Sequence, residues 1–379
     1  MTIIYFKKLI CMSGLTGFAV CSLLGNTMET ISNAKQPNAL ATAPHSTLVG
    51  VNYFAGWWPE KPNKWQNPRD QHEWLPEYPG RTPLLGTLNT SATMDREIAA
   101  AAAHGVDFFS ILWYPKQKQG RDESPMLDRG LEQFMASPNA KRLRFIVEFC
   151  NHPPFSVPTD KEWEACVAVF VQAMRHPSYL KVDGRAVFKI HSAHQFIKDA
   201  GDDLDHCRRR LDVLRKAARE AGVGELVIGV GAVSDVVDKD NWATQLFDFS
   251  NEYMMVPDLP SGPTDRPYSE LTEYGLARNQ ARATNAIPHL PFLGAGWNPR
   301  PWGDKRAAFA FPTRTEWTTA LRNMDTLLKK SPQLGIPKRD GTVQPAFVIY
   351  AWNEFGEGGI VAPTQGDGMM KLEGIEEVF

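Results

Sequence analysis

The sequence is poor in the features that mark several common chemistries. It has only five cysteines in 379 residues, and no C-x-x-C pair among them, so no zinc cradle of that type and no disulfide framework is written into it. Cys11 and Cys21 go with the first residues, which leaves Cys150, Cys166 and Cys207. Three leave room for one bridge at most, and three buried thiols is the simpler reading. Neither sign of charge dominates: 41 Lys and Arg face 43 Asp and Glu, a formal net charge of −2. Without a basic field the chain is not suited to hold nucleic acid or an anionic membrane. There is no G-x-S-x-G elbow, no G-x-x-x-x-G-K-[ST] loop and no H-E-x-x-H helix, which removes the commonest serine hydrolase, nucleotide-phosphate and zinc-protease signatures. Gly229-Val230-Gly231 lacks the third glycine of a dinucleotide fingerprint, and Asp203-Leu204-Asp205 reads as the N-cap and first turn of a helix rather than a metal-binding D-x-D. His152, His191 and His194, with Glu148, lack ligand spacing and read as hydrogen-bonding groups of a polar cleft. No metal and no cofactor is expected.

The first residues look like an address. Lys7 and Lys8 precede an apolar run from Leu9 to Leu24, too short and too broken by Gly and Ser for a stable membrane span. A polar stretch rich in small residues follows, Asn26 to Ser46. These features predict a signal peptide over 1–25, a linker over 26–47, and a secreted or periplasmic destination. Ala39-Leu40-Ala41 has the small-x-small pattern but lies far from the apolar run, and Phe18-Ala19-Val20 before Cys21 makes a poor lipobox. Lipoprotein anchoring is therefore the weaker form of the reading, and an uncleaved N-terminal anchor is its alternative.

From Leu48 onward, short apolar runs alternate with amphipathic stretches. The runs are Val49–Trp57, Val106–Tyr114, Arg144–Phe149, Ala186–His191, Glu225–Val230, Phe247–Met255, Leu290–Trp297 and Ala346–Trp352. Between them, Leu204, Leu211, Leu214 and Ala218 show the helical spacing well. The fifth connection offers only a short turn around Trp242–Leu246. Continuous apolar strands alternating with helices imply a parallel sheet covered on both faces. Eight such units specify a closed (β/α)8 TIM barrel over 48–379 better than an open sheet. Two long insertions, Pro59–Thr93 and Asn298–Pro312, follow strands one and seven, on the C-terminal face where barrel enzymes carry their sites.

Aromatics are abundant, with 11 Trp, 9 Tyr and 20 Phe. Trp57, Trp58, Trp113, Trp297, Trp302 and Trp352 fall at or just past strand ends, as do Tyr53, Glu148, His191 and Tyr253. Flat apolar rings beside carboxylates and amides suit a carbohydrate, whose C–H faces stack while its hydroxyls need polar partners. The sharpest feature is Glu354-Phe355-Gly356-Glu357, inside Trp352-Asn353-Glu354 and followed by Gly358 and Gly359. Two carboxylates three residues apart at a strand end reach one cavity if the backbone turns there. Glycosidic cleavage needs one carboxyl protonated and one ionised, and like charges held close drive their pKa values apart.

Those residues carry a resemblance. Pro83-Leu84-Leu85-Gly86, the Met94…Ile98…Ala102…Gly105-Val106-Asp107-Phe108-Phe109 series, the run His176 to Phe188 and the Trp352–Gly358 segment are similar to glycoside hydrolase family 99 and the related WbsX-type proteins. The resemblance spans most of Val49–Pro363 and implies a metal-independent, retaining, endo-acting mannosidase or mannanase. In that family the first glutamate of an E-x-x-E motif, matched by Glu354, deprotonates the substrate 2-hydroxyl, which attacks the anomeric carbon to give a 1,2-anhydrosugar. The second, matched by Glu357, is general acid and then base. By position, Glu148, Tyr53 and Tyr253 correspond to further cleft residues, and Trp113 to a tryptophan packed on the sugar. Family 99 enzymes have Glu-Trp-His-Glu where this chain has Glu-Phe-Gly-Glu, closer to the WbsX-like branch, which is often labelled glycosyltransferase. The expectation is an exported glycoside hydrolase acting on a poly- or oligosaccharide. Its catalytic residues would be Glu354 and Glu357, with substrate contacts from Tyr53, Trp57, Trp113, Glu148, His191, Tyr253, Trp297, Trp352 and Asn353. Trp352 and Asn353 would also fix the loop. The alternatives are a transferase building a surface polysaccharide and a carbohydrate-binding barrel without catalysis.

Overall fold

Each apolar run becomes a parallel strand: β1 (Leu48–Tyr53), β2 (Phe108–Trp113), β3 (Arg144–Phe149), β4 (Arg185–Ile190), β5 (Leu226–Gly231), β6 (Phe249–Asn251), β7 and β8 (Ala346–Tyr350). Strand β7 is in two pieces, His289–Leu290 and Phe292–Gly294, because Pro291 between them has no N–H to give a ladder. The first piece pairs with β6 and the second with β8. With β8 also pairing β1, the ring closes. This computed structural model describes residues 47–231, 243–260, 262 and 264–379. The expected signal peptide, all but the last residue of the expected linker, and the start of the turn at Trp242 lie outside the described residues.

Helices follow the strands in order: α1 (Ser91–Ala103), α2 (Arg129–Ala136), α3 (Asp160–Met174), α4 (Leu204–Glu220), α5 (Tyr268–Arg282), α6 (Arg314–Lys330) and α7 (Met370–Val378). After β5 the described helix is the single turn Ala243–Leu246, in keeping with the weak fifth connection. The starts are written in the sequence. Thr159 and Thr313 form capping boxes with Glu162 and Glu316 at α3 and α6. The Asp203 carboxylate accepts the Asp205 N–H at 2.8 Å at the head of α4, so this D-x-D is a cap. The chain is thus a single (β/α)8 barrel, and among the described residues no helix is long and apolar enough to cross a membrane.

The barrel interior has two regions. Toward the N-terminal ends of the strands, Leu48, Phe108, Ile146, Val187, Val227, Phe249, Leu290 and Val348 make a dry plug. Toward the C-terminal ends the inward positions turn polar: Asn52 lies beside Ser110, and Glu148 beside Lys189. The plug depends on two missing side chains. A Cβ at Gly50 would stand 2.2 Å from the Phe108 ring, and one at Gly229 would stand 2.1 Å from the Phe249 ring. Each phenylalanine lies across the hollow left by a glycine on the neighbouring strand. Gly50→Val and Gly229→Val should each destabilise the fold by about 1–3 kcal/mol, the usual cost of overpacking, read as a lower midpoint in urea unfolding. An unchanged midpoint would show that the rings have room to move.

Candidate active site

After β8 the chain does not enter a helix at once. Asn353–Glu354 pairs antiparallel with Gly359–Ile360, so Phe355–Gly358 form the tip of a short hairpin. Its turn is closed by the Glu357 and Gly358 N–H groups donating to the Glu354 carbonyl, at 3.1 and 2.8 Å. Two glycines let it sit tightly. A Cβ at Gly356 would meet the Trp302 indole at 2.1 Å, and Gly358 has a φ of +85°, a conformation that L side chains rarely adopt. The turn puts both carboxylates on the wall of one cavity of about 570 Å3. Phe54, Leu112, Tyr114, His152, His191 and Tyr253 form much of the rest of that wall.

The two carboxyl groups have different partners. Glu354 is 5% exposed. Its Oε1 accepts the Tyr253 hydroxyl at 2.9 Å, and its Oε2 has no hydrogen-bond partner among the described residues. Glu357 accepts the Tyr350 hydroxyl. Burial raises the pKa of both, and the Glu357 charge lifts Glu354 further, well above the ordinary carboxylate range. Against burial, Tyr253 and Lys64 pull Glu354 down, while Tyr350 and Arg306 pull Glu357 down. Two poorly solvated carboxyls that disfavour each other's charge hold a proton between them at pH values where a free carboxylate has none. One acid and one base is what that arrangement supplies.

Glu148 lies beneath the cavity and is fully buried. One of its oxygens accepts Ser110 Oγ at 2.8 Å and Asn52 Nδ2 at 3.1 Å. The other meets Lys189 Nζ at 2.8 Å and His191 Nδ1 at 2.7 Å. Burial alone would raise its pKa, but Lys189 and His191 outweigh burial and hold it down to about 2. An ionised carboxylate with four partners has nothing left for a substrate. The expected sugar contact is therefore replaced by a positioning role: Glu148 fixes the ring of His191, which does line the cavity and packs edge-on to Tyr253 at 5.0 Å.

The structure brings Glu354, Glu357, His191 and Tyr253 together, and it draws the other expected contacts away from the cavity. Side chains alternate across a strand. With Asn52 and Ser110 inward, Tyr53 one position on and Trp113 three positions on face the helices. The Tyr53 hydroxyl donates to Glu97 at 2.7 Å, and Trp113 packs against Phe149 and against Phe170 of α3. Trp352 lies against Phe109. Trp297 packs on Tyr350 and under Arg306, 4.5 Å from its ring. Trp57 joins Trp65, Trp74, Trp302 and Phe355 in an aromatic buttress behind the hairpin, and its Nε1 donates to the Asn353 carbonyl at 2.9 Å. Asn353 does fix the loop, since its Oδ1 accepts the Phe54 N–H at 2.9 Å. Phe54 and Tyr114, one residue beyond Tyr53 and Trp113, are the cavity residues that the sequence reading passed over. Lys64 and Glu123, paired at 2.6 Å on its rim, carried no signal at all. Trp302, noted as a residue past a strand end, and His152, read as a group of a polar cleft, do line it.

No three-residue cluster of His, Cys, Asp or Glu is arranged to hold a metal ion among the described residues. Cys150, Cys166 and Cys207 are buried free thiols.

No protein-family model matches the chain, and no curated protein sequence does. Solved structures do. The family 99 endo-alpha-mannosidase of Bacteroides thetaiotaomicron is 14% identical, with 84% of this chain and 89% of that chain covered and a TM-score of 0.54. The same enzyme bound to bis-tris-propane is 13% identical, covering 85% and 88%, with a TM-score of 0.50. At this identity the likeness is one of fold: the chain carries a barrel like that of the family 99 enzyme.

Removing the Glu148 charge would strand Lys189, which is 1% exposed. Glu148→Gln should therefore cost about 3–5 kcal/mol, the usual penalty for breaking a buried pair, measured by urea unfolding at neutral pH. The pH profile gives a second check. The native Glu148 pKa of about 2 lies below the ordinary 4.5, so its stabilisation is complete above about 4.5 and is lost as the pH falls toward 2. His289 is buried, and burial first, then the nearby Arg282 and Arg278, hold it down to about 3. It therefore begins to cost stability earlier, as the pH falls below about 6.5. Glu148→Gln should flatten the loss below 4.5 and leave the His289 segment above it unchanged. A parallel downward shift of the whole profile would contradict the assignment.

Proposed function

We propose that the protein is a glycoside hydrolase that cleaves within poly- or oligosaccharides of mannose type, with retention and without a metal, using Glu354 and Glu357. The observation that carries this reading is the hairpin: one buried and one partly buried carboxyl with unequal partners on the wall of one cavity. The family 99-like barrel supports it. The leader, with Lys7 and Lys8 ahead of an apolar run, supports action outside the cytoplasm, in the periplasm or medium.

In this reading Glu357 protonates the departing glycosidic oxygen while Glu354 takes the proton of the sugar 2-hydroxyl, and that oxygen attacks the anomeric carbon. Water, giving a proton to Glu357, then attacks the anomeric carbon and breaks its bond to O2, while Glu354 returns its proton to O2. Burial and the closeness of the two carboxyls favour one proton held between them at rest. A substrate hydroxyl donating to the unpartnered Glu354 oxygen stabilises its anion, and the shared proton is then held by Glu357, where the leaving group needs it. The Tyr253 hydroxyl, already donating to Glu354, stabilises the same anion.

Purified protein should release oligosaccharides from mannose-containing polysaccharides. Glu354→Gln and Glu357→Gln should each lower the rate by about 10² to 10⁴, the span of general acid–base catalysis, and the double variant should be little worse than either, because the pair acts as a unit. An aryl glycoside with an activated leaving group needs no protonation, so it should partly rescue Glu357→Gln and not Glu354→Gln. Near-normal rates in both single variants, or sugar transfer from a nucleotide sugar with no cleavage anywhere, would overturn the proposal.

A further inference from the structure

Arg81 ends a short turn, Pro79–Arg81, in the long loop after β1, and only 3% of it is exposed. Its guanidinium sits between two rings, 4.9 Å from the centroid of Tyr78 and 5.3 Å from that of Phe311. Nη1 donates to the Phe355 carbonyl at 2.9 Å and to the Gly356 carbonyl at 3.4 Å. Nη2 donates to the Asn298 carbonyl at 2.9 Å. Phe355 and Gly356 are the two residues between the paired glutamates. Asn298 in turn gives its own N–H to the Glu357 carbonyl at 2.7 Å, so the tip of the hairpin is gripped from both sides.

Burying a guanidinium is costly. Burial lowers the Arg81 pKa to about 10, which still leaves it charged at neutral pH, and among the described residues no carboxylate forms an ion pair with it. Its hydrogen-bonded acceptors are the hairpin tip and the β7 loop on which that tip rests. A buried cation serving only the packing of the loop would not need its donors spent there. Nor does its charge act on the carboxyls directly, since the cations that lower them are Lys64 and Arg306. What Arg81 supplies is geometry, through a planar fork that lysine lacks.

We propose that Arg81 is a positioning residue: by holding the two carbonyls between Glu354 and Glu357 it sets the separation and aim of their carboxyl groups. The inference rests on the glycosidase reading for its catalytic consequence but not for its structural one. Arg81→Lys, Arg81→Gln and Arg81→Ala should lower kcat by about 10- to 100-fold, as misplacement of reacting groups by an ångström does. KM should stay within about threefold, because Arg81 does not line the cavity. The limbs of the pH–rate profile should move as the two carboxyls lose their fixed spacing. Free guanidinium should restore part of kcat to Arg81→Ala and nothing to Arg81→Lys. Independently of activity, amide exchange at Glu357 and Gly358 should speed up in each variant while exchange in β3 and β4 stays as in the wild type.

Folded Arg81→Lys and Arg81→Gln with wild-type kcat and wild-type exchange at the hairpin would overturn the proposal. So would a fall in kcat accompanied by faster exchange throughout the barrel and no response to guanidinium, the mark of a merely structural role. If the Arg81 variants do not fold, Tyr78→Leu removes one face of the sandwich and should give the same pattern at smaller amplitude; an unchanged hairpin there would count against the proposal. If the wild type cleaves no glycoside, the functional reading fails, and the exchange data still decide whether Arg81 holds the hairpin.

Discussion

The constraint on which the site depends is the placing of two carboxyl groups, Glu354 buried and Glu357 partly buried, three positions apart on one chain. Neither Glu354 nor Glu357 has a salt-bridging cation within reach among the described residues, so burial pushes both toward the neutral form and each discourages the charge of the other. A fold that tolerates this must make the hairpin rigid, or the carboxyls would swing out to water and lose their coupling. The surroundings of the hairpin follow from that need. Tyr253 and Tyr350 each give one hydroxyl to one glutamate. Trp302 packs into the space that Gly356 leaves open, and the Trp57–Trp65–Phe355 stack closes the rear.

Below the hairpin the barrel is built in two layers of opposite character. The apolar plug around Phe108 and Phe249 excludes water from the N-terminal half. The Glu148 network then turns the interior polar within one pleat, with both oxygens of the carboxylate engaged. A buried ion pair is weak evidence for stability. Here its visible result is orientational: it fixes His191, which stands edge-on to Tyr253, and Tyr253 holds Glu354. Three strands are thereby linked to the hairpin through side chains alone.

The barrel was legible in the sequence because eight apolar runs with helical patterns between them have few other ways to bury both faces. Glu354 and Glu357 were legible because E-x-x-E among glycines at a strand end is an uncommon context. The pleat was harder to read. Tyr53 and Trp113 look like site residues by type and place, yet the inward positions are their neighbours Phe54 and Tyr114. The signal that decides the parity is the polar pair Asn52 and Ser110 within otherwise apolar strands, which the presence of Glu148 one strand further makes inward. Trp57 shows the same limit from another side: a tryptophan past a strand end serves as readily to buttress a loop as to receive a sugar. The contributions of Lys64 and Arg81 come from an insertion with no regular period, so no pattern could place them.

The central claim is that Glu354 and Glu357 share one proton in the resting protein. Carboxyl carbon NMR of the protein labelled at glutamate, followed through a pH titration without substrate, tests it most directly. The account predicts two coupled steps that both resonances sense, with the later one well above the ordinary carboxylate pKa, and in either Gln variant a single step for the remaining glutamate, lower than that later step but still above the ordinary value because burial persists. Two independent titrations at ordinary carboxylate values, each unaffected by removal of the other glutamate, would contradict it.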